Sequence, residues 1–182
     1  HAGALRIDHI LGFNRQFWVP RGATGADGAY VAMNQKAFIA LTALESQRAK
    51  CLVIGEDLGT VPEGLSQSLA KANILSYRVL WFEQDAEGFR PPQDYPPLAA
   101  ACLSSHDLKP FPGWEATAPA QEKSKLARAL ETETLPADDM LASAHAYLAR
   151  TPSALMLVQA DDLTGETEPL NVPGTDTENP NW

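Results

Sequence analysis

The sequence has few basic residues for its size. Of its 182 residues, 14 are Lys or Arg and 23 are Asp or Glu, which leaves a formal net charge of −9 at pH 7. Nucleic acids and anionic membrane surfaces are bound through basic patches, so this charge balance argues against both as partners. A content of 45% apolar and 20% charged residues is typical of a globular protein.

Long hydrophobic runs and cysteines are also scarce. No run reaches the about 18 apolar residues of a membrane-spanning helix, and the N-terminus lacks the pattern of a signal peptide, so we expect a soluble protein of the cytoplasm. The two cysteines, Cys51 and Cys102, lie in apolar stretches without a CxxC or Cys/His spacing. We expect buried thiols there rather than a disulfide or a zinc site.

Neither end of the sequence has the features of a domain end. A strand-like apolar segment, Ala4–Ile7, begins almost at the first residue, and the chain stops at Trp182 shortly after a turn rich in Gly and Pro. A strand placed so close to a terminus usually needs partners on both sides. We therefore expect residues 1–182 to form a single partial domain of a longer protein.

Apolar segments that resemble strands alternate with segments that resemble helices. The five strand candidates are Ala4–Ile7, Cys51–Ile54, Tyr77–Phe82, Ala99–Leu103 and Ala154–Val158. This alternation predicts βαβ units and a parallel sheet. The first clear helix is predicted over residues 34–49 with Asn34 as its N-cap, another is expected to begin near Pro62, and Gly12–Tyr30 is expected to be irregular.

Polar residues follow nearly every predicted strand, which is where a TIM (β/α)8 barrel has its active site. An open doubly wound sheet also places ligands at strand ends, but it usually has a Gly-rich phosphate loop after its first strand. Gly22, Gly25 and Gly28 do not form such a loop. Because a whole barrel needs about 250 residues, we predict an α/β fold that corresponds to the C-terminal portion, about strands 4 to 8, of a barrel.

Three carboxylates stand at predicted strand ends. Arg6 and Asp8 share one face of a strand, so the guanidinium can keep the carboxylate ionised. Glu56 follows a second strand, and Asp107 stands beside His106 after another. Two carboxyl groups on either side of a glycosidic oxygen, one ionised and one protonated, are the minimal requirement for cleaving an acetal.

Each carboxylate also has a structural explanation. Arg6 and Asp8 can form an ion pair without a catalytic role. Glu56 or Asp57 can cap the helix that begins near Pro62, and the third acid can begin a turn before the proline that follows it. The recurrence of acids at three strand ends favours catalysis.

Four motifs occur in order along the chain. They are Arg6-Ile7-Asp8-His9, Gly55-Glu56-Asp57-Leu58-Gly59, Ser105-His106-Asp107 and Asn171-Val172-Pro173-Gly174-Thr175. Together they resemble the 4-alpha-glucanotransferases of glycoside hydrolase family 77, also called amylomaltases or disproportionating enzymes. The resemblance extends over essentially the whole chain, and the Glu-Asp-Leu-Gly motif distinguishes this family from ordinary alpha-amylases.

The resemblance implies roles for individual residues. Asp8 would be the nucleophile, Glu56 the general acid/base and Asp107 the stabiliser of the transition state. The residues that would contact the sugar are Arg6, His106, His9 and Asn171.

The resemblance also implies a reaction and its partners. The substrates would be alpha-1,4-glucans such as maltooligosaccharides, and a glucan segment would pass through a covalent intermediate to the 4-hydroxyl of another glucan, without a metal or cofactor. A retaining alpha-glucan hydrolase and a non-catalytic glucan-binding or assembly module remain as alternatives. We expect the chain to need the N-terminal part of the same protein, and by itself to be inactive and to self-associate through uncovered strands.

Overall fold

A computed structural model of the protein describes residues 2–136, 138–175 and 177. Within these ranges the strands are β1 Ala4–Ile7, β2 Arg15–Trp18, β3 Ala29–Ala32, β4 Leu52–Gly55, β5 Ser76–Val79, β6 Ala99–Cys102 and β7 Leu155–Leu157. The helices are α1 Gln35–Ala49, α2 Leu65–Lys71, α3 Phe111–Thr117, α4 Ala120–Thr132, α5 Met140–Ala149 and α6 Ala160–Thr164. Among these helices, none has the length and apolar character needed to cross a membrane. The chain divides into two compact units, His1–Tyr77 and Arg78–Trp182.

The first unit is built on a parallel pair of strands. Strands β1 and β4 pair in a register that ends with Ile7 opposite Gly55. Leu75 extends this sheet on the other side of β4, because the Gly55 N–H donates to the Leu75 carbonyl at 2.8 Å and the Leu75 N–H donates to the Val53 carbonyl at 2.9 Å. The predicted parallel α/β arrangement is confirmed here.

Helix α1 covers this sheet and begins where the sequence predicts. The Asn34 side chain accepts a hydrogen bond from the Ala37 N–H at 3.1 Å, and the helix ends at Ala49, after which Lys50 adopts a left-handed conformation. The core that lies beneath the helices of this unit consists of Ile10, Leu11, Ile39, Val53, Leu65, Leu69 and Ile74. Helix α2 begins later than predicted, at Leu65, after Gly64 with a φ of 76°.

Residues 15–32 form a hairpin where the sequence predicts irregular structure. Strands β2 and β3 pair antiparallel with Phe17 opposite Tyr30. The two rings are in edge contact at 5.1 Å, and the Arg15 guanidinium lies 4.6 Å from the Tyr30 ring centroid. Every residue of β2 is exposed, so neither face has the apolar pattern that reveals a half-buried strand.

The second unit contains the end of β5 together with β6 and β7, in the sheet order β5-β6-β7. Strands β6 and β7 are parallel, with Ala100 opposite Leu155, and all four residues of β6 are buried. The core around them consists of Leu80, Phe89, Tyr95, Ala101, Leu103, Phe111, Leu126, Leu130, Ala144, Tyr147 and Leu148.

The strand predicted over Tyr77–Phe82 is too long. Strand β5 ends at Val79, and Leu80–Phe82 form a 3-10 turn instead. Leu80 is buried and Trp81 stacks on Trp114 at 4.4 Å between ring centroids, whereas Phe82 is exposed. The apolar run therefore continues past the strand mainly because the first two residues of the turn are packed.

The two cysteines differ in burial. Cys102 is buried on β6, as predicted, whereas Cys51 is only partly buried. The Cys102 thiol donates a weak hydrogen bond to the Arg78 carbonyl at 3.6 Å.

Helix α3 lies so close to the segment after α6 that no side chain fits at Gly113. A Cβ atom there would overlap the Thr167 carbonyl oxygen and lie 2.8 Å from its carbonyl carbon. Both groups are backbone, so neither can move aside as a flexible side chain would. This close approach fixes the path of the chain between α6 and Asn171.

We predict that Gly113→Ala lowers the free energy of unfolding by about 3 kcal/mol, because over-packing against backbone forces the two segments apart. Urea denaturation of the chain measures the loss. Gly25→Ala is the matched control, since nothing lies within 4 Å of a Cβ atom at that position. Equal stability of the two variants would contradict the prediction.

Candidate active site

Two of the carboxylates predicted to act in catalysis emerge side by side from the first sheet. The register of β1 and β4 ends at Ile7 and Gly55, so Asp8 and Glu56 are the next residues of two neighbouring parallel strands. The Glu56 N–H donates to the Ile7 carbonyl at 2.9 Å, which extends the pairing by one step. Both acids therefore leave the same edge of the sheet.

Asp8 is the more accessible of the two acids. Its side chain is 61% exposed, and its Oδ1 lies 2.6 Å from Nη1 of Arg6, whose side chain is only 25% exposed. The Arg6 guanidinium lies 4.7 Å from the centroid of the Tyr77 ring. An accessible carboxylate beside a cation has the charge and the access that a nucleophile needs.

Glu56 is buried and held by backbone donors. The His9 N–H donates to its Oε2 at 2.8 Å, and the Leu58 N–H donates to its Oε1 at 2.7 Å. Because a carboxyl group has about four acceptor positions, each oxygen keeps one for a further contact. The two neighbouring acids thus stand in different environments, one exposed and ion-paired and one buried and bonded to the backbone.

His9 contributes its main chain to this arrangement. It adopts a left-handed conformation with φ 47° and ψ 56°, which is uncommon for a residue other than glycine. The turn that results directs its N–H to the Glu56 carboxylate and the Ile10 N–H to the Glu56 carbonyl at 2.9 Å. The His9 side chain is exposed.

Gly55 lets this turn pack against the end of β4. A Cβ atom at Gly55 would lie 2.6 Å from Cδ1 of Ile10, a residue that is completely buried. The glycine before Glu56 is therefore explained by a close contact, which the sequence pattern alone does not reveal.

Neither acid of the second motif caps helix α2. Asp57 is 3% exposed, and its Oδ1 accepts a hydrogen bond from the Tyr77 N–H at 2.9 Å. Both oxygens of Glu56 are bonded to residues outside the helix, and Gly64 stands at the N-cap position. The capping explanation is wrong because helix α2 has no side-chain cap and both carboxylates accept hydrogen bonds from residues outside it.

The third acid lies in the second unit, after β6. The Asn171 side-chain amide donates to Oδ1 of Asp107, and the Asn171 N–H donates to the His106 carbonyl at 2.9 Å. His106 Nε2 lies 3.3 Å from the same Asp107 oxygen. The structure thus brings His106, Asp107 and Asn171 together in this unit, as it brings Arg6, Asp8, His9 and Glu56 together in the first.

Asp107 also lies in a turn, as the structural explanation requires. The Leu108 N–H donates to the Ser105 carbonyl at 3.1 Å, and the Ser104 hydroxyl donates to the Lys109 carbonyl at 3.2 Å. These bonds use backbone carbonyls and leave the Asp107 carboxylate to Asn171 and His106. The turn therefore positions the Asp107 carboxylate without using its oxygens as hydrogen-bond acceptors.

Glu83, the acid that follows the turn after β5, forms ion pairs with two arginines. It is buried, with Arg90 Nε at 3.0 Å from Oε2 and Arg78 Nη1 at 3.5 Å from Oε1. The Tyr147 hydroxyl donates to the Arg90 carbonyl at 2.7 Å and holds this arginine in place. Glu83 thus has a structural role in the second unit, where it pairs with Arg78 and Arg90.

Asp162 supports the turn that carries Asp107. It is 1% exposed and its Oδ1 accepts a hydrogen bond from the Phe111 N–H at 2.6 Å, where α3 begins. Burial raises the pKa of Asp162 above its ordinary value of 3.8, and the bond from Phe111 opposes this only in part. Asp162 follows the last strand candidate, Ala154–Val158, and its sequence position alone does not indicate this contact.

We predict that Asp162→Asn removes a pH dependence of stability. Because its pKa is raised, the folded chain keeps the Asp162 proton to higher pH than the unfolded chain does, so the unfolding free energy falls as pH rises from 3.8 through the raised value. Urea denaturation at several pH values should show wild type losing stability relative to the variant across this window.

Asp162→Ala separates charge from hydrogen bonding. It lacks the acceptor for the Phe111 N–H and should be less stable than Asp162→Asn by about 1–3 kcal/mol at every pH. A wild type that gains stability relative to Asp162→Asn as pH rises would contradict the assignment.

Parallel strands that end in carboxylates, with helices between them, define an α/β protein whose candidate site is built at strand ends. Among the residues that the structure describes, no three His, Cys, Asp or Glu side chains are grouped so that they could hold a metal ion. The chain belongs to the 4-alpha-glucanotransferase family, because the family model matches residues 1–182.

Relatives in several bacteria carry the same name. The 4-alpha-glucanotransferase of Mycobacterium bovis is 35% identical over all of this chain and 30% of its own length. That of Haemophilus influenzae is 35% identical over 99% of this chain and 31% of its own length. The chain thus spans about a third of the length of the curated relatives it matches.

Solved structures agree with the family. The crystal structure of amylomaltase from Corynebacterium glutamicum matches 99% of this chain and 31% of its own, with a TM-score of 0.84 and 31% identity. Amylomaltase from Streptococcus agalactiae in complex with acarbose matches 94% of this chain and 35% of its own, with a TM-score of 0.77. At 21% identity, the second likeness supports the fold alone.

Proposed function

We propose that this chain is the catalytic part of a 4-alpha-glucanotransferase and that Asp8, Glu56 and Asp107 perform a retaining transfer of alpha-1,4-glucan segments. The observation that carries the proposal is the pair of acids, Asp8 and Glu56, that leaves adjacent parallel strands in different environments. One ionised and one proton-donating carboxyl group are what a retaining mechanism requires.

We further propose that the chain supplies about strands 4 to 8 of a TIM (β/α)8 barrel and acts in the cytoplasm. Strand β1 pairs with β4, and several apolar side chains of these two strands and of α1 are exposed. They are Leu5, Leu41, Leu44 and Leu52. The chain spans about a third of the length of these relatives, so we propose a preceding part of the same barrel as the partner that would cover these side chains.

In the first step, Asp8 attacks the anomeric carbon of the bound glucan. A lone pair of its carboxylate forms the new C–O bond, and the electrons of the broken glycosidic bond move to the leaving oxygen, which takes the proton of Glu56. The product is a covalent glycosyl-Asp8 and a shortened glucan. Arg6 stabilises the anionic Asp8 before the attack.

In the second step, Glu56 removes the proton from the 4-hydroxyl of an incoming glucan or glucose. That oxygen attacks the anomeric carbon and releases Asp8 as a carboxylate, so Glu56 regains its proton. Two inversions retain the alpha configuration. Neutral sugars are compatible with the net charge of −9, because the substrate needs no electrostatic attraction.

Asp107 acts on the sugar that carries positive charge in the transition state. Its carboxylate accepts hydrogen bonds from the 2- and 3-hydroxyls, and these bonds strengthen as charge develops on the ring. The Asn171 amide and His106 orient the carboxylate for this contact. His106, Arg6, His9 and Asn171 form the proposed sugar-binding set.

The first test replaces the acid/base. In the polypeptide that carries this chain, Glu56→Gln should slow the conversion of maltotriose to glucose and longer maltodextrins by at least about a hundredfold, because general acid/base catalysis is lost. Glu45→Gln is the matched control, since Glu45 is exposed and pairs only with Arg48 among the residues described. Thermal unfolding of both variants verifies that the fold is retained.

Product analysis separates the alternatives. The exposure of Asp8 favours a hydrolase as the second candidate, because water reaches an accessible intermediate. Glucose without chain lengthening would support hydrolysis, and full activity in Glu56→Gln would contradict the acid/base role. If the longer polypeptide binds maltotriose but does not convert it, the chain is a glucan-binding module. The 182-residue chain alone should show little transfer.

A second test addresses Asn171. Asn171→Ala removes the donor to Asp107 and should lower kcat about tenfold to a hundredfold, the effect of one hydrogen bond to a charged group. Asn171→Asp should lower it further, because a second anion then faces Asp107. The backbone bond from residue 171 to His106 persists in both variants. Unchanged kcat in Asn171→Asp would contradict the proposed orientation of Asp107.

A further inference from the structure

Within the described part of the chain, Arg6 has one ion pair and one aromatic contact. Its Nη1 lies 2.6 Å from Asp8, and its guanidinium carbon lies 4.7 Å from the centroid of the Tyr77 ring. Its Nε is buried and has no hydrogen-bond partner among the residues that the structure describes. The ion pair holds Arg6 at one terminal nitrogen only, so the guanidinium could still rotate about that contact. The Tyr77 ring is therefore the group that fixes the orientation of the guanidinium plane.

Strand geometry explains why Tyr77 reaches Arg6. Arg6 pairs with Ile54 on β4, and Ile54 pairs with Leu75 on the next strand. Tyr77 stands two residues beyond Leu75, and alternate side chains share a face, so the ring and the guanidinium lie on the same face. The two strands are separated by β4, about 10 Å in total, which two long side chains span.

Tyr77 is itself anchored at its backbone. Its side chain is buried, and its N–H donates to the Asp57 carboxylate at 2.9 Å. Asp57 directly follows the proposed acid/base, Glu56. A chain of contacts therefore runs from the loop of Glu56 through Asp57, Tyr77 and Arg6 to Asp8.

We propose that Tyr77 is a positioning residue. Its ring fixes the guanidinium of Arg6, and Arg6 in turn holds the Asp8 carboxylate in position for attack. The proposal rests on the proposed function, in which Asp8 is the nucleophile. The face of the ring attracts the guanidinium through its quadrupole and excludes water from Arg6. Without the ring the guanidinium turns and is hydrated, and the Asp8 carboxylate loses its fixed partner.

Nuclear magnetic resonance of the 182-residue chain tests the contact directly. A proton over an aromatic face resonates upfield, so the Arg6 Nε–H should be shifted upfield in wild type and in Tyr77→Phe, which keeps the ring. In Tyr77→Leu the shift should disappear. An Arg6 signal that is the same in Tyr77→Leu and wild type would overturn the proposal.

Kinetics in the polypeptide that carries the chain test the consequence. Tyr77→Leu should lower kcat for maltotriose about tenfold and leave KM within about twofold, because Tyr77 orients Arg6 and does not contact the sugar. Tyr77→Phe should restore kcat. Leu69→Ala is the control for simple destabilisation, since Leu69 is buried in the core of the same unit; it should lower thermal stability at unchanged kcat.

The outcomes separate the two proposals. A wild-type protein without transfer activity would refute the proposed function. An active wild type whose kcat is unaffected by Tyr77→Leu would refute the positioning role alone. A loss in Tyr77→Phe equal to that in Tyr77→Leu would also refute it, because the hydroxyl group and not the ring would then be responsible.

Discussion

The parallel pairing of β1 with β4 is the constraint on which the candidate site depends. The register stops at Ile7 and Gly55, so the next residue of each strand is an acid at the same edge. A slip of one residue would turn alternate side chains to the opposite face and separate Arg6 from its partners there. The buried core beneath β4 and α1 makes such a slip costly, because it would expose Val53 and its apolar neighbours.

Backbone groups, more than side chains, make the two acids different. Glu56 receives two main-chain N–H groups, one of which depends on the left-handed conformation of His9. Gly55 allows Ile10 to pack against the strand end and so stabilises the turn that supplies this donor. Asp8 has an arginine as its partner instead. Two carboxyl groups with distinct environments on one sheet edge are suited to different steps of one reaction.

In the second unit, too, hydrogen bonds to carboxyl groups join residues that are far apart in the sequence. Asn171 stands 64 positions from Asp107 and donates a hydrogen bond to it, and Asp162 stands 51 positions from Phe111 and accepts one from its N–H. The close contact between Gly113 and the Thr167 backbone fixes the segment between Asp162 and Asn171. Each polar contact thus relies on packing that brings separate segments together.

The sequence by itself determined the strand and helix alternation, the Asn34 cap and the placement of acids after strands, because these depend on local periodicity and short-range hydrogen bonds. The likeness of four ordered motifs also indicated the family that the comparison established. Only the tertiary structure decided the β2 and β3 hairpin, the turn at Leu80–Phe82, the main-chain role of His9 and the contact of Tyr77 with Arg6. Exposed strands have no periodic apolar pattern from which they could be predicted. Contacts between residues distant in sequence depend on how the elements pack, which a local sequence pattern does not reveal.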